Sequence, residues 1–231
     1  MSVDALLFDK DGTLFLFEAT WESWAHAVLM RLTDGDLDRA RMIGDDIGFD
    51  VDSKRFQPTS VIIACTPTEI VSQLRRHVAY SAEALETLLN EEAAVVPQVE
   101  AVSLAPFLTQ LRQRGLKIGV ATNDAEYPAR AHLDAAGVTG LFDFISGYDS
   151  GHGAKPAPGP CLAFATATGV APDRVAMVGD SLHDLHAGRA AGMKTIAVLT
   201  GIAQADELAP FADIVLDDIS HIPAWLDSEE G

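Results

Sequence analysis

Basic residues are scarce in this chain of 231: 16 Lys and Arg stand against 34 Asp and Glu, a formal net charge of −18. No cluster of even four cations interrupts that excess. Such a surface repels nucleic-acid phosphates, which argues against nucleic-acid binding. Cysteine is rarer still. Cys65 and Cys161 each stand alone, with no CxxC spacing, so neither a disulfide framework nor a thiolate zinc site is expected, and a reducing cytosol suits the chain. Long apolar runs are also missing. The longest, such as Val61 to Cys65, are strand-sized and far short of the roughly 20 residues that cross a bilayer. Asp4 and Asp9 interrupt the start before any signal-type hydrophobic region can form. A soluble cytoplasmic protein without a membrane partner is the expectation.

The remaining composition is globular, 48% hydrophobic and 22% charged. A chain of this length buries roughly 70% of its unfolded surface, enough for a core domain with an insertion. Short apolar runs at Ala5–Phe8, Lys117–Ala121, Phe142–Ser146, Arg174–Val178, Lys194–Val198 and Asp213–Leu216 predict strands buried on both faces. Helical spacing fills Val102–Arg114, Pro128–Ala136, Gly159–Thr168 and Leu182–Ala191. Gly115, Gly137, Gly169 and Gly192 follow these helices where left-handed caps belong. The alternation predicts a three-layer Rossmann-like α/β core with a parallel sheet. Residues 16–93 break the rhythm, because their pattern is almost wholly helical or irregular. They read as a helical cap inserted into a core of residues 1–15 and 94–231. In the cap, Trp21, Trp24, Val28 and Leu32 share one helical face and read as packing.

Parallel sheets present functional groups at their carboxyl ends. The first predicted strand there runs into Asp9-Lys10-Asp11-Gly12-Thr13, the second into Thr122-Asn123-Asp124. The third runs into a glycine-rich loop ending in Lys155-Pro156, and the fourth into Gly179-Asp180-Ser181 with Asp184 a turn later. One residue separates Asp9 from Asp11, so an extended segment turns both to one side. With Asp180 they form an all-oxygen set suited to Mg²⁺. One carboxylate can attack phosphorus while the cation neutralises phosphoryl oxygens. Thr122 offers a hydroxyl and Lys155 an ammonium for the remaining oxygens. Gly12 lets backbone N–H groups approach a phosphate.

These four segments, in this order and with a cap between the first two, resemble the motifs of the haloacid dehalogenase superfamily, in its phosphatase branch with a small helical cap. Within that branch the chain is most similar to the phosphoglycolate phosphatases. The resemblance implies Mg²⁺-dependent hydrolysis of a small phosphomonoester, 2-phosphoglycolate foremost, through an aspartyl-phosphate. It implies Asp9 as nucleophile and Asp11 as general acid, then base. It assigns Mg²⁺ to Asp9, the Asp11 carbonyl and Asp180, with Asp184 acting through water or orienting Lys155. Thr122, the Asn123 backbone and Lys155 would bind the phosphoryl group. A sugar phosphomutase using the same intermediate, or a receiver-like phosphorylated signalling domain, are the rival expectations.

Other residues read more plainly. Lys10 departs from the phosphatase pattern towards the DKTGT of transport ATPases and reads as a neutral substitution pointing away from the pocket. His183 and His186, three apart on one helix, read as solvent-facing, and His152 as a loop residue. Lys54 and Arg55 are among the cap's few cations. Arg55, with its planar fork, is the candidate for a substrate carboxylate.

Overall fold

The computed structural model describes residues 3–57, 60 and 67–229. The apolar run Val61 to Cys65, and Pro58 and Thr59 beside it, lie outside the described residues. The chain opens with β1 (Ala5–Phe8) and continues through α1 (Phe17–Leu32), α2 (Leu37–Ile47), β2 (Phe49–Asp50), β3 (Arg55–Phe56), α3 (Pro67–Leu74) and α4 (Ala82–Val95). There follow α5 (Leu104–Gln113), β4 (Lys117–Ala121), α6 (Glu126–Ala135), β5 (Phe144–Ser146), α7 (Gly159–Thr168), β6 (Val175–Gly179), α8 (Leu182–Ala190) and β7 (Lys194–Val198). The chain closes with α9 (Ala205–Leu208), β8 (Ile214–Leu216) and α10 (Ile222–Glu229). It divides into two compact units, one of residues 1–18 and 98–231 and one of residues 19–97. The division expected at 93 falls inside α4, a helix that the Ser81 side chain caps at its start by accepting from Ala84 N.

In the first unit, six parallel strands lie in the order β5-β4-β1-β6-β7-β8. Each predicted apolar run forms its strand; the inner four are buried on both faces, which leaves no polar alternation to confuse the reading, while the edge strands β5 and β8 are partly buried. The strand β1 is central, pairing Ala5–Phe8 with Lys117–Val120 on one side and Val175–Val178 on the other. Sequential connections therefore reverse direction at β1, which makes its carboxyl end the switch point where such sheets bind ligands. Leu6 and Phe8 face one apolar cluster with Phe107, Leu108 and Leu133; Ala5 and Leu7 face another with Phe164 and Met177. The four helix-ending glycines all take positive φ, as their position predicts.

The second unit packs its own core from Trp24, Val28, Leu29, Ile43, Phe49, Leu74, Leu85 and Leu89. Trp24 stands edge-on to Trp21, with centroids 5.2 Å apart, and donates Nε1–H to the Leu89 carbonyl at 3.1 Å. The pair is packing, as its spacing predicts. Two features differ from expectation. The helix α3 ends at Leu74, although the helical pattern of the sequence from Ile70 runs on to Tyr80. A two-stranded antiparallel hairpin, β2 with β3, joins Phe49 to Phe56. Two-residue strands carry no periodicity to read; the aromatic pair across them, 5.0 Å apart, holds the register.

Candidate active site

The sheet delivers the acidic residues together. The Asp9 N–H still pairs with the Val178 carbonyl at 2.8 Å, so Asp9 continues β1. The chain then turns at once. Leu14 and Phe15 both donate N–H to the Lys10 carbonyl, and Gly12 sits at φ 80°, a conformation that only glycine adopts without strain. A Cβ on Gly12 would also stand 2.3 Å from Asp180 Oδ2. The Gly12 N–H donates to the Phe15 carbonyl at 2.7 Å, which revises the expected role of this glycine. It gives room to Asp180 and shapes the turn, while its own donor is committed within the turn.

Lys155 is the hub. Its Nζ donates to Asp9 Oδ1 at 2.6 Å and to Asp184 Oδ1 at 2.5 Å. Asp184 is fully buried and receives Ser181 Oγ at 2.6 Å and Ser181 N at 3.1 Å on its other oxygen. That makes it at once a helix-start partner for α8 and the orienter of Lys155. Asn123 fixes the Lys155 backbone from both sides: Nδ2 donates to the Lys155 carbonyl and Oδ1 accepts its N–H, each at 2.9 Å. The Asn123 side chain is thus a positioning group, a role that the expected backbone contact does not include. Thr122 Oγ1 accepts from Asp124 N at 3.0 Å, which leaves its hydroxyl proton to donate elsewhere.

Oxygens of Asp9, Asp180 and Asp184 lie within 4.8 Å of one another, all three residues buried. Burial lifts the Asp9 carboxyl to about 7, with Asp184 and Asp11 repulsion adding to it and Lys155 opposing. Asp180 is held well above the carboxylate range, first by burial, then by Asp184 and Asp9. For Lys155, burial alone disfavours the charge, but Asp184 and Asp9 outweigh it and raise the ammonium above its ordinary value. One cation therefore faces three carboxylates. A hard divalent ion fits this all-oxygen set and would restore the balance of charge. Asp11 contributes no carboxylate oxygen to that cluster; Lys10 Nζ holds its Oδ1 at 2.7 Å.

That contact overturns the reading of Lys10 as a neutral substitution. Its side chain is fully buried and also meets His132 Nδ1 at 2.9 Å and Asp124 Oδ2 at 3.2 Å. A second omission is the loop after β7. Thr200 Oγ1 donates to the Gly12 carbonyl at 2.6 Å, and a Cβ on Gly201 would lie 1.7 Å from Asp180 Oδ2. Only a Thr-Gly pair one residue beyond a buried strand signalled it. His183 and His186 are exposed, the latter against Phe211, and His152 lies over Phe144. Arg55 belongs to the helical unit, where it is two-thirds exposed and 3.8 Å from Glu22.

Comparison with known proteins agrees with this geometry. Residues 3–192 match the haloacid dehalogenase-like hydrolase family. A phosphoglycolate phosphatase of Rhodospirillum rubrum is 30% identical over 96% of this chain and 90% of its own length. The pyrophosphatase PpaX of Bacillus velezensis is 28% identical over 95% and 94%. Among solved structures, a predicted phosphoglycolate phosphatase from Haemophilus somnus shares the fold with a TM-score of 0.71, at 19% identity over 97% of this chain and 98% of that one. The chain belongs to the haloacid dehalogenase-like hydrolases and is a phosphatase of that family.

Proposed function

We propose that the protein hydrolyses a small phosphomonoester, 2-phosphoglycolate foremost, with Asp9 as nucleophile and Mg²⁺ as cofactor. The observation that carries this reading is the Asp9–Lys155–Asp184 chain, in which one ammonium holds both carboxylates within 2.6 Å at the sheet's switch point. Lys155 keeps the Asp9 carboxylate oriented, and with the Thr122 hydroxyl it supplies donors for the phosphoryl oxygens. An Asp9 oxygen bonds to phosphorus as the ester P–O bond breaks. The proton that the departing alkoxide needs comes from the Asp11 carboxyl. Asp11 then takes a proton from water as that water attacks the aspartyl-phosphate, releasing phosphate and the Asp9 carboxylate. Asp9, Asp180 and the Asp11 carbonyl would hold Mg²⁺, which when bound supplies positive charge to the phosphoryl oxygens.

The helical unit of residues 19–97 acts in this reading as the cap that selects the substrate, and the protein works in the cytoplasm. Because one relative is named a pyrophosphatase, the decisive experiment is a phosphate-release screen that includes 2-phosphoglycolate, other monoesters and pyrophosphate, with and without Mg²⁺. Trapping with a fluoride analogue should place the phosphoryl group on Asp9. Phosphate release that persists in excess chelator, or label on another residue, would overturn the assignment. An isomerised sugar phosphate in place of free phosphate would return the reading to a mutase.

A further inference from the structure

Three buried groups stand behind Asp11 without a part in the chemistry derived so far: Lys10, Asp124 and His132. Lysine is almost never fully buried unless paired, and an uncompensated buried charge costs several kcal/mol. On β1 the residues Leu6 and Phe8 point into an apolar cluster, and Lys10 continues that face by alternation. An aliphatic side chain would serve packing there. Instead, the ammonium curls back towards the site and donates to Asp11 Oδ1 at 2.7 Å.

The ammonium is pinned from behind. His132, 1% exposed on α6, places Nδ1 2.9 Å from Nζ. Since an ammonium can only donate, Nδ1 accepts, and the ring proton of the neutral imidazole resides on Nε2. Phe15 backs the ring edge-on at 6.4 Å. Asp124 sets an oxygen 3.2 Å from Nζ while its other oxygen accepts from Ala125 N at 2.8 Å. The Asp124 backbone N–H is the one bound by Thr122 Oγ1. A continuous set of contacts therefore links the Asp11 carboxyl group to the Thr122 hydroxyl.

From this geometry we infer that Lys10, braced by Asp124 and His132, is a positioning residue that fixes the carboxyl group of Asp11 for proton transfer to the leaving oxygen. Its bond occupies Oδ1, so Oδ2 is the oxygen that carries the proton to the alkoxide. The inference rests on the proposed acid role of Asp11. A carboxyl group free to swing would miss a target that must be met at hydrogen-bond distance, and a misplacement of about 1 Å costs on the order of 100-fold.

The test reads dependence on the leaving group. Lys10→Met, His132→Phe and Asp11→Asn are compared with the unaltered enzyme on phosphomonoesters running from p-nitrophenyl through phenyl to alkyl. Nitrophenolate departs without a proton, whereas an alkoxide needs one. Lys10→Met should lower kcat/KM, which reads the breaking of the ester and not the later hydrolysis that Asp11 also serves, about 10- to 100-fold on the alkyl esters and less than about threefold on p-nitrophenyl phosphate. His132→Phe, which removes only the brace and keeps an aromatic ring, should show the same split at smaller size and carries the test if Lys10→Met does not fold. Adding Lys10→Met to Asp11→Asn should cost little more than Asp11→Asn alone. Equal losses across the series for both Lys10→Met and His132→Phe, with a clear split for Asp11→Asn, would overturn the positioning role alone. No split for Asp11→Asn would overturn the acid assignment and this inference with it.

Discussion

Replacing Asp9 with Asn should destroy activity and yet stabilise the metal-free protein. The reason is electrostatic. Burial raises the Asp9 carboxyl from 3.8 to about 7, so its ionisation is opposed in the folded state and free in the unfolded one. Between those two values the folded protein binds the extra proton. Stability therefore falls as pH rises through this window, and the loss is complete above about 7. At about 1.4 kcal/mol per unit, an ionised Asp9 costs the metal-free fold about 4 kcal/mol at pH 8. Asparagine keeps the shape without the charge, and its amide must turn its oxygen to Lys155 Nζ, now 2.6 Å from Oδ1. A net gain of about 2–4 kcal/mol is expected, on the order of 5–10 °C for a chain of this size. Thermal unfolding in chelator from pH 4 to pH 8 reads it: the two proteins should melt together near pH 4 and diverge up to pH 7. Saturating Mg²⁺ should narrow the gap, because ligand binding stabilises the wild type by mass action. An Asp9→Asn protein that melts no higher than wild type at pH 8, or a difference independent of pH, would refute the charge argument. Phosphate release above a few per cent of wild type would refute the nucleophile.

Lys155→Met should be inactive and destabilised by about 3–5 kcal/mol in chelator, since it strands Asp9 and Asp184; denaturant unfolding checks this. Activity should vanish in chelator, return with Mg²⁺ and fail with Ca²⁺, whose wider shell draws both oxygens of a carboxylate; steady-state assays with each cation decide it. Gly201→Ala should displace the Asp180 carboxylate, which lies where the new Cβ would stand, and weaken Mg²⁺ binding at least tenfold by calorimetry while the fold persists. Arg55→Ala should raise KM for a carboxylated substrate and leave a neutral phosphomonoester unchanged; equal effects on both would return Arg55 to the solvated surface.

The sheet and its strand-end residues were legible because the physics that writes them is local. A strand buried on both faces reads as an apolar run whatever its neighbours. Asp9, Thr122 and Asp180 each follow such a run at once, and Lys155 closes the glycine-rich loop that follows another. What escaped was set by contacts between distant parts of the chain. Nothing within ten residues of His132 marks it as the partner of Lys10, which lies 122 positions earlier. The same holds for Gly201, whose significance appears only when Asp180 occupies the space a methyl group would need. Lys10 shows the limit most clearly. Alternation carried on from Leu6 and Phe8 would start its side chain on the apolar face, but four methylenes let the ammonium travel independently of the direction in which it sets out. For short side chains such as Asp9, strand geometry fixes where the chemistry ends up. For lysine and arginine it fixes only the starting point, and the carboxylates and imidazoles within reach decide the rest. A cation breaking the apolar alternation of a central strand is therefore a reason to search the adjoining helix for its partners, here α6 with His132.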